Sequence, residues 1–145
     1  MIRKPHDVRF AVFAALCALC LALVPAALAA KPGGGGKAGG GGGSLSLVVL
    51  SSPYGDNLPH HAGQVTFNVS TTATDRPYVN LDCRQNGTLV YSNQVGYFPS
   101  YPWVQYFGLS SSYWTSGAAS CTATLTYPSG KGWSTLATIS FTALA

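Results

Sequence analysis

Val79-Asn80-Leu81-Asp82-Cys83-Arg84-Gln85-Asn86-Gly87-Thr88-Leu89-Val90-Tyr91 carries alternating apolar and polar residues up to an Asn-Gly pair and resumes a β-prone run after it. A period of two puts Val79, Leu81 and Cys83 on one face of a strand and Asn80, Asp82 and Arg84 on the other, which a helical period of 3.6 does not do. Asn86-Gly87 supplies the two positive-φ residues that a type I′ turn requires, so the stretch reads as a β-hairpin. With Gln85 opposite Thr88, the register pairs Arg84 with Leu89, Cys83 with Val90 and Asp82 with Tyr91. Directly opposed residues share a face, so Cys83 falls on the core side with Val79, Leu81 and Val90.

The same period continues on both sides of the hairpin. Val65, Phe67 and Val69 alternate with Thr66, Asn68 and Ser70. Ala119, Cys121, Ala123 and Leu125 alternate with Ser120, Thr122, Thr124 and Thr126. Strands are expected at 45–50, 65–69, 79–84, 88–92, 104–109, 119–127 and 136–143, separated by breaker-rich stretches at 53–63, 71–77, 93–102, 110–117 and 128–132. No useful helical period occurs after residue 30. Seven short strands in about 100 residues predict an all-β, two-sheet sandwich over residues 45–145, one domain with one modest core.

The first 44 residues have a different character. Ile2-Arg3-Lys4 and Arg9 precede an uncharged run at 10–30, broken by Pro25 and ending on Ala27-Leu28-Ala29-Ala30. A basic start, an apolar middle and small residues at the end describe a cleavable signal peptide over 1–30, and hence a secreted, extracellular product. The run also exceeds the about 18 apolar residues that span a bilayer, so the alternative is an uncleaved anchor holding the same domain outside the cell. Cys17 and Cys20 each follow a leucine, where a lipoprotein signal needs a small residue. Residues 31–44, with glycine runs at 33–36 and 39–43, read as a disordered, Gly-rich linker with a reach of roughly 20 Å.

Export leaves Cys83 and Cys121 in a compartment where thiols oxidise, and a single bridge between them follows; two separate buried thiols are the alternative. If the strands are ordered as in a seven-stranded sandwich, the two cysteines fall on neighbouring strands of one sheet, whereas antibody domains bridge across the core. After Ser44 the chain carries Arg76, Arg84 and Lys131 against Asp56, Asp75 and Asp82. A balanced domain gives no electrostatic basis for binding nucleic acid or an anionic membrane, so contact with a membrane is expected only during export or through an uncleaved signal.

These core positions resemble the immunoglobulin-like and fibronectin type III-like modules of bacterial secreted and surface proteins. The resemblance covers about 62–145 and rests on Gly63-Gln64-Val65-Thr66-Phe67 with Val69, Pro77 before Val79, Leu81 and Cys83, then Ala118, Cys121, Ala123 and Leu125, and finally Leu136-Ala137 with Phe141. It implies a seven-stranded immunoglobulin-like sandwich acting as a spacer, an adhesin or a ligand binder. Ala119 stands where antibody-type domains carry a tyrosine, and no tryptophan follows Cys83 at the usual spacing, so the chain departs from the antibody pattern.

Catalysis is poorly provided for. The chain has no glutamate, and Asp56, Asp75 and Asp82 fall in two separate loops and on a non-core strand face, which is unsuited to a paired-carboxylate hydrolase. His60-His61 reads as an exposed loop pair, since adjacent side chains diverge and no third ligand has a metal spacing. Ser129-Gly130-Lys131 lacks the frame of a phosphate loop, and no serine sits in a nucleophile elbow. No enzyme activity, metal or cofactor is therefore expected. The functional feature is aromatic: Tyr97, Phe98, Tyr101, Trp103, Tyr106, Phe107, Tyr113 and Trp114 place eight of seventeen aromatic residues within eighteen positions. The sequence points first to a non-catalytic spacer, adhesion or protein-interaction module. The alternative is a carbohydrate-binding module using Tyr97, Tyr101, Trp103 and Tyr113 against a glycan outside the cell, for which a coplanar exposed row of rings is the mark.

Overall fold

The computed structural model describes residues 42–130 and 132–145; the signal peptide expected at 1–30 and most of the linker lie outside the described residues. The described chain forms seven strands and no helix: β1 Gly43–Ser51, β2 Gln64–Thr71, β3 Tyr78–Gln85, β4 Thr88–Gly96, β5 Phe107–Gly108, β6 Ala119–Ser129 and β7 Gly132–Ala143. They make two antiparallel sheets, ordered β1-β2-β5 and β4-β3-β6-β7.

Alternation decides which side chains enter the core between the sheets. Val79, Leu81 and Cys83 of β3 and Ala119, Cys121, Ala123 and Leu125 of β6 are buried from one side, and Leu45, Val65, Phe67 and Phe107 from the other. Phe67 meets Phe107 edge-on at 5.5 Å and Phe141 of β7 at 6.4 Å, so the two sheets share one core. Cys83 and Cys121 are direct partners in the β3–β6 ladder and are bridged, with Cα atoms 4.0 Å apart. That spacing belongs to the narrow, non-hydrogen-bonded pairs of an antiparallel ladder. The bridge thus joins neighbouring strands of one sheet, as expected.

The hairpin turn forms as read, with φ of 49° at Asn86 and 82° at Gly87. Gln85–Thr88 and Arg84–Leu89 pair as expected, but the register then slips: Cys83 faces Tyr91, not Val90, and Asp82 faces Ser92, not Tyr91. The cause is a β-bulge at Val90. The extra residue lets Val90 enter the core while Tyr91 packs against it from the edge, and one strand in strict alternation cannot supply two consecutive core residues.

Several strand boundaries also differ from those expected. β1 begins at Gly43, where the linker was expected to continue to Ser44, because Gly43 and Ser44 pair with Thr71 and Ser70. β4 runs through Gly96, past the expected break at Asn93, because Val95 pairs with Val79 and fills the core. β6 and β7 extend toward each other to Ser129 and Gly132. Pro128 is tolerated there because β3 pairs with β6 only as far as Thr126, so the missing N–H faces no partner strand. Conversely, the strand expected at 104–109 shrinks to Phe107–Gly108. Before Phe107 the chain meets β2 through a side chain in place of ladder bonds, with Thr66 Oγ1 donating to the Gln105 carbonyl at 2.6 Å.

Candidate functional site

The aromatic stretch is divided by the pleat of β4. Val95 points into the core, Gly96 to the outer face of the four-stranded sheet, and Tyr97 inward again. Gly96 pairs with Tyr78, whose neighbour Val79 is buried, so Tyr78 also stands on the outer face. A Cβ on Gly96 would lie 2.5 Å from Tyr101 Cδ2 and 2.6 Å from Phe98 Cε1. Only bare backbone there lets the chain after Tyr97 fold back and lay these two rings on the sheet.

Tyr78 is the hub of the resulting cluster. It meets Phe98 at 5.4 Å, Tyr101 at 6.3 Å and Trp133 at 5.3 Å, with interplanar angles of 70°, 89° and 88°. Tyr101 in turn meets Phe98 at 5.4 Å and Trp103 at 5.3 Å. Edge-to-face contact of this kind is worth about 0.5–1.5 kcal/mol per pair beyond area burial, and it fixes the rings relative to one another. The two outermost rings, Trp103 and Trp133, remain 70% and 55% exposed.

The four candidate site residues therefore separate. Tyr101 and Trp103 belong to this patch. Tyr97 does not: it packs against the core, and its hydroxyl lies 3.0 Å from Thr66 Oγ1 and donates to the Gln105 carbonyl at 3.4 Å. Burial pushes its phenol pKa up, and its role is to close the β2 edge that the short β5 leaves open. Tyr113 is 77% exposed but stands elsewhere, beside Leu89 and Tyr91 in a groove of about 530 Å³ along β4. Phe107 and Trp114 are core residues. Tyr78 and Trp133, central to the patch, are not singled out by the sequence reading because they lie far from the aromatic-rich stretch. Tyr78 keeps the parity of the outward Asn80, the one signal that could have found it.

Beyond the patch the outer face is polar and nearly uncharged. Asn80 donates to Thr126 Oγ1 at 2.9 Å, and Thr122 and Ser140 hydroxyls lie 3.3 Å apart. Arg84 is occupied with the Gly87 carbonyl at 3.2 Å.

His60 corrects the expectation of an exposed pair: it is buried. Its Nε2 lies 2.8 Å from Asp56 Oδ2 and its Nδ1 3.0 Å from the Ala145 oxygen. Acceptors facing both ring nitrogens favour the doubly protonated imidazolium over either neutral tautomer. Its pKa is raised, first by the Ala145 oxygen and then by Asp56. Asp56, accepting from Ser52 Oγ at 2.7 Å and from the Leu58 N–H at 3.0 Å as well, is lowered to about 2. Together with the hydrogen bonds from Leu144 N–H to the Pro59 carbonyl and from His61 N–H to the Leu144 carbonyl, both 2.8 Å, this clamps the end of the described chain to the 59–63 loop. A raised histidine pKa adds stability that is complete below the unfolded value near 6.5 and lost as pH rises through the folded value. A lowered aspartate pKa adds stability present above about 3.9 and lost as pH falls toward 2. Thermal melts across pH should therefore show wild-type stability declining above neutrality, with that decline absent in His60→Gln; identical slopes for the two proteins would dismiss the clamp.

His61 turns the other way, against Trp114 at 5.2 Å, so the two adjacent histidines do not converge. Among the described residues no group of three histidine, cysteine or acidic side chains is placed to hold a metal ion. Comparison with known proteins returns no matching family, no matching curated protein and no matching solved structure.

Proposed function

We propose that this chain is a secreted or cell-surface module of immunoglobulin-like architecture, and that it works by binding, not catalysis, through the Trp103–Tyr101–Phe98–Tyr78–Trp133 patch. The strand order supports the architecture: β1, β2 and β5 correspond to A, B and E, and β4, β3, β6 and β7 to C′, C, F and G. The bridge fits an oxidising compartment, in keeping with the signal-like first 30 residues.

The observation that carries the proposal is the pair of exposed tryptophans at the two ends of one interlocked ring cluster. Exposed aromatic area is a solubility liability, and rings held rigidly lose little entropy when a partner covers them. Tryptophan and tyrosine are accordingly the residues on which binding energy concentrates. Immobilised extracellular matrix proteins, polysaccharides and intact cells should retain the full chain on at least one surface, and Trp103→Ala with Trp133→Ala should abolish that retention while the domain still unfolds cooperatively, with a melting temperature lowered only by the loss of two ring contacts. Retention that is indifferent to the pair, or no retention on any surface, overturns the proposal.

A further inference from the structure

Taking the patch as the binding surface, we infer that its ligand is a single, neutral polysaccharide chain lying across the outer face of the β4-β3-β6-β7 sheet. A sugar ring offers an apolar C–H face and a rim of hydroxyls. Its binding surface must therefore combine exposed aromatic faces with uncharged donors and acceptors. The outer face has both, and in the required order.

The ladder register places what lies next to the rings. Moving from Tyr78 along β3, the next outward position is Asn80, flanked by Gln94 on β4 and Thr124 on β6. After it comes Asp82, flanked by Ser92 and Thr122. Adjacent strands are about 4.8 Å apart and successive outward residues about 6.8 Å apart, so the face is a lattice of hydroxyl and amide groups at the scale of a sugar unit. Its strand-borne charges are Asp82, midway along β3 between Ser92 and Thr122, and Arg84, which is turned to its own hairpin.

Charge selects against the other polymers. A polyanionic glycan or a nucleic acid needs a cationic track, which these strands do not present. A protein interface of ordinary size concentrates apolar side chains at its centre, whereas the centre of this face is Asn80, Asp82, Gln94, Thr122 and Thr124, with Leu89 the outward aliphatic at its far end.

The ring geometry narrows the ligand further. A flat crystalline polysaccharide surface demands rings in one plane, and here neighbouring rings stand at 70° to 89°. Trp103 and Trp133, exposed at the two ends of the cluster with Tyr101 and Tyr78 edge-on between them, are suited to separate sugar units of a soluble chain. Neighbouring rings are not coplanar, and the glycan reading shifts from a continuous row of rings to two separated tryptophans joined through Tyr78 and Tyr101.

Affinity electrophoresis of the full chain through gels containing hydroxyethyl cellulose, xylan or soluble β-1,3-glucan tests the inference, with polygalacturonate and heparin gels and microcrystalline cellulose pull-down alongside. At least one neutral gel should retard the wild type, and Trp133→Ala should weaken that retardation by about tenfold, the scale of a single aromatic anchor. Trp133→Phe, which keeps a ring, should restore part of it. Retardation only by the charged gels, retention only by crystalline cellulose, or retardation unaffected by Trp133→Ala overturns the inference. If no polysaccharide binds but an immobilised protein retains the wild type and not the Trp103→Ala, Trp133→Ala variant, the ligand class is wrong and the patch stands. If nothing is retained at all, both fail.

Discussion

Replacing both Cys83 and Cys121 by alanine should lower the stability of the domain by about 4 kcal/mol and its melting temperature by on the order of 20 °C. The bridge spans 38 residues, and in the chain-entropy treatment a loop of that length costs the unfolded ensemble about 4 kcal/mol. Only Arg84 and Gln85 of β3, but the whole of β4, the patch residues Phe98, Tyr101 and Trp103, and β5 lie inside that loop. Without the bridge, the β3–β6 pairing must close it from an unrestrained chain. The alanines also remove two fully buried sulfurs from the centre of the sheet, so the substitution overstates the cross-link alone. Reduction of the wild type under otherwise native conditions separates the two contributions and should account for most of the loss. An unchanged melting temperature on reduction would contradict the role given to the bridge.

The second large effect belongs to β5. This strand has only two residues, yet its Phe107 side chain is among the largest fully buried in the domain and meets Phe67 at 5.5 Å. Phe107→Ala should destabilise by about 3–5 kcal/mol, the usual range for emptying a buried phenylalanine site. The upper part of that range is expected because β5 has only a two-residue ladder with which to adjust: it pairs with β2 at Gln64 and Val65 alone. Denaturant titration should show a lower midpoint. A loss below about 1 kcal/mol would mean that the two sheets do not meet around this ring.

The hairpin and the bridge were legible in the sequence because both depend on local rules. Asn86-Gly87 demands its turn, the turn sets the first pairs, and parity then puts Cys83 and Cys121 on the same side. The bulge at Val90 was not legible, since Thr88-Leu89-Val90-Tyr91 fits either pleat and only the core decides which side chains it takes. The length of β5 was hidden for a related reason: 104–109 has strand-forming residues, and what stands in place of ladder bonds in its first half is a long-range contact between Thr66 and Gln105. The site was half visible. Local density marks 97–114 as aromatic, but density cannot tell Tyr97, turned inward to Thr66, from Tyr101, turned outward over Gly96. Tyr78 and Trp133 reach the cluster through the β3–β4 and β6–β7 pairings, which join residues remote in sequence. His60 was misread because its partners, Asp56 and Ala145, include one 85 residues away.

The central claim is that this domain binds with the outer face of its four-stranded sheet. Titrating the isotope-labelled chain with cellohexaose and xylohexaose, while following backbone amides and the tryptophan indole N–H signals, tests it most directly. Shifts are expected only at Tyr78, Asn80, Gly96, Tyr101 and the indoles of Trp103 and Trp133, with β1, β2 and the Trp114 indole silent. Shifts centred instead on Leu89, Tyr91 and Tyr113 would contradict it, and no shifts with either oligosaccharide would contradict the glycan reading of this face.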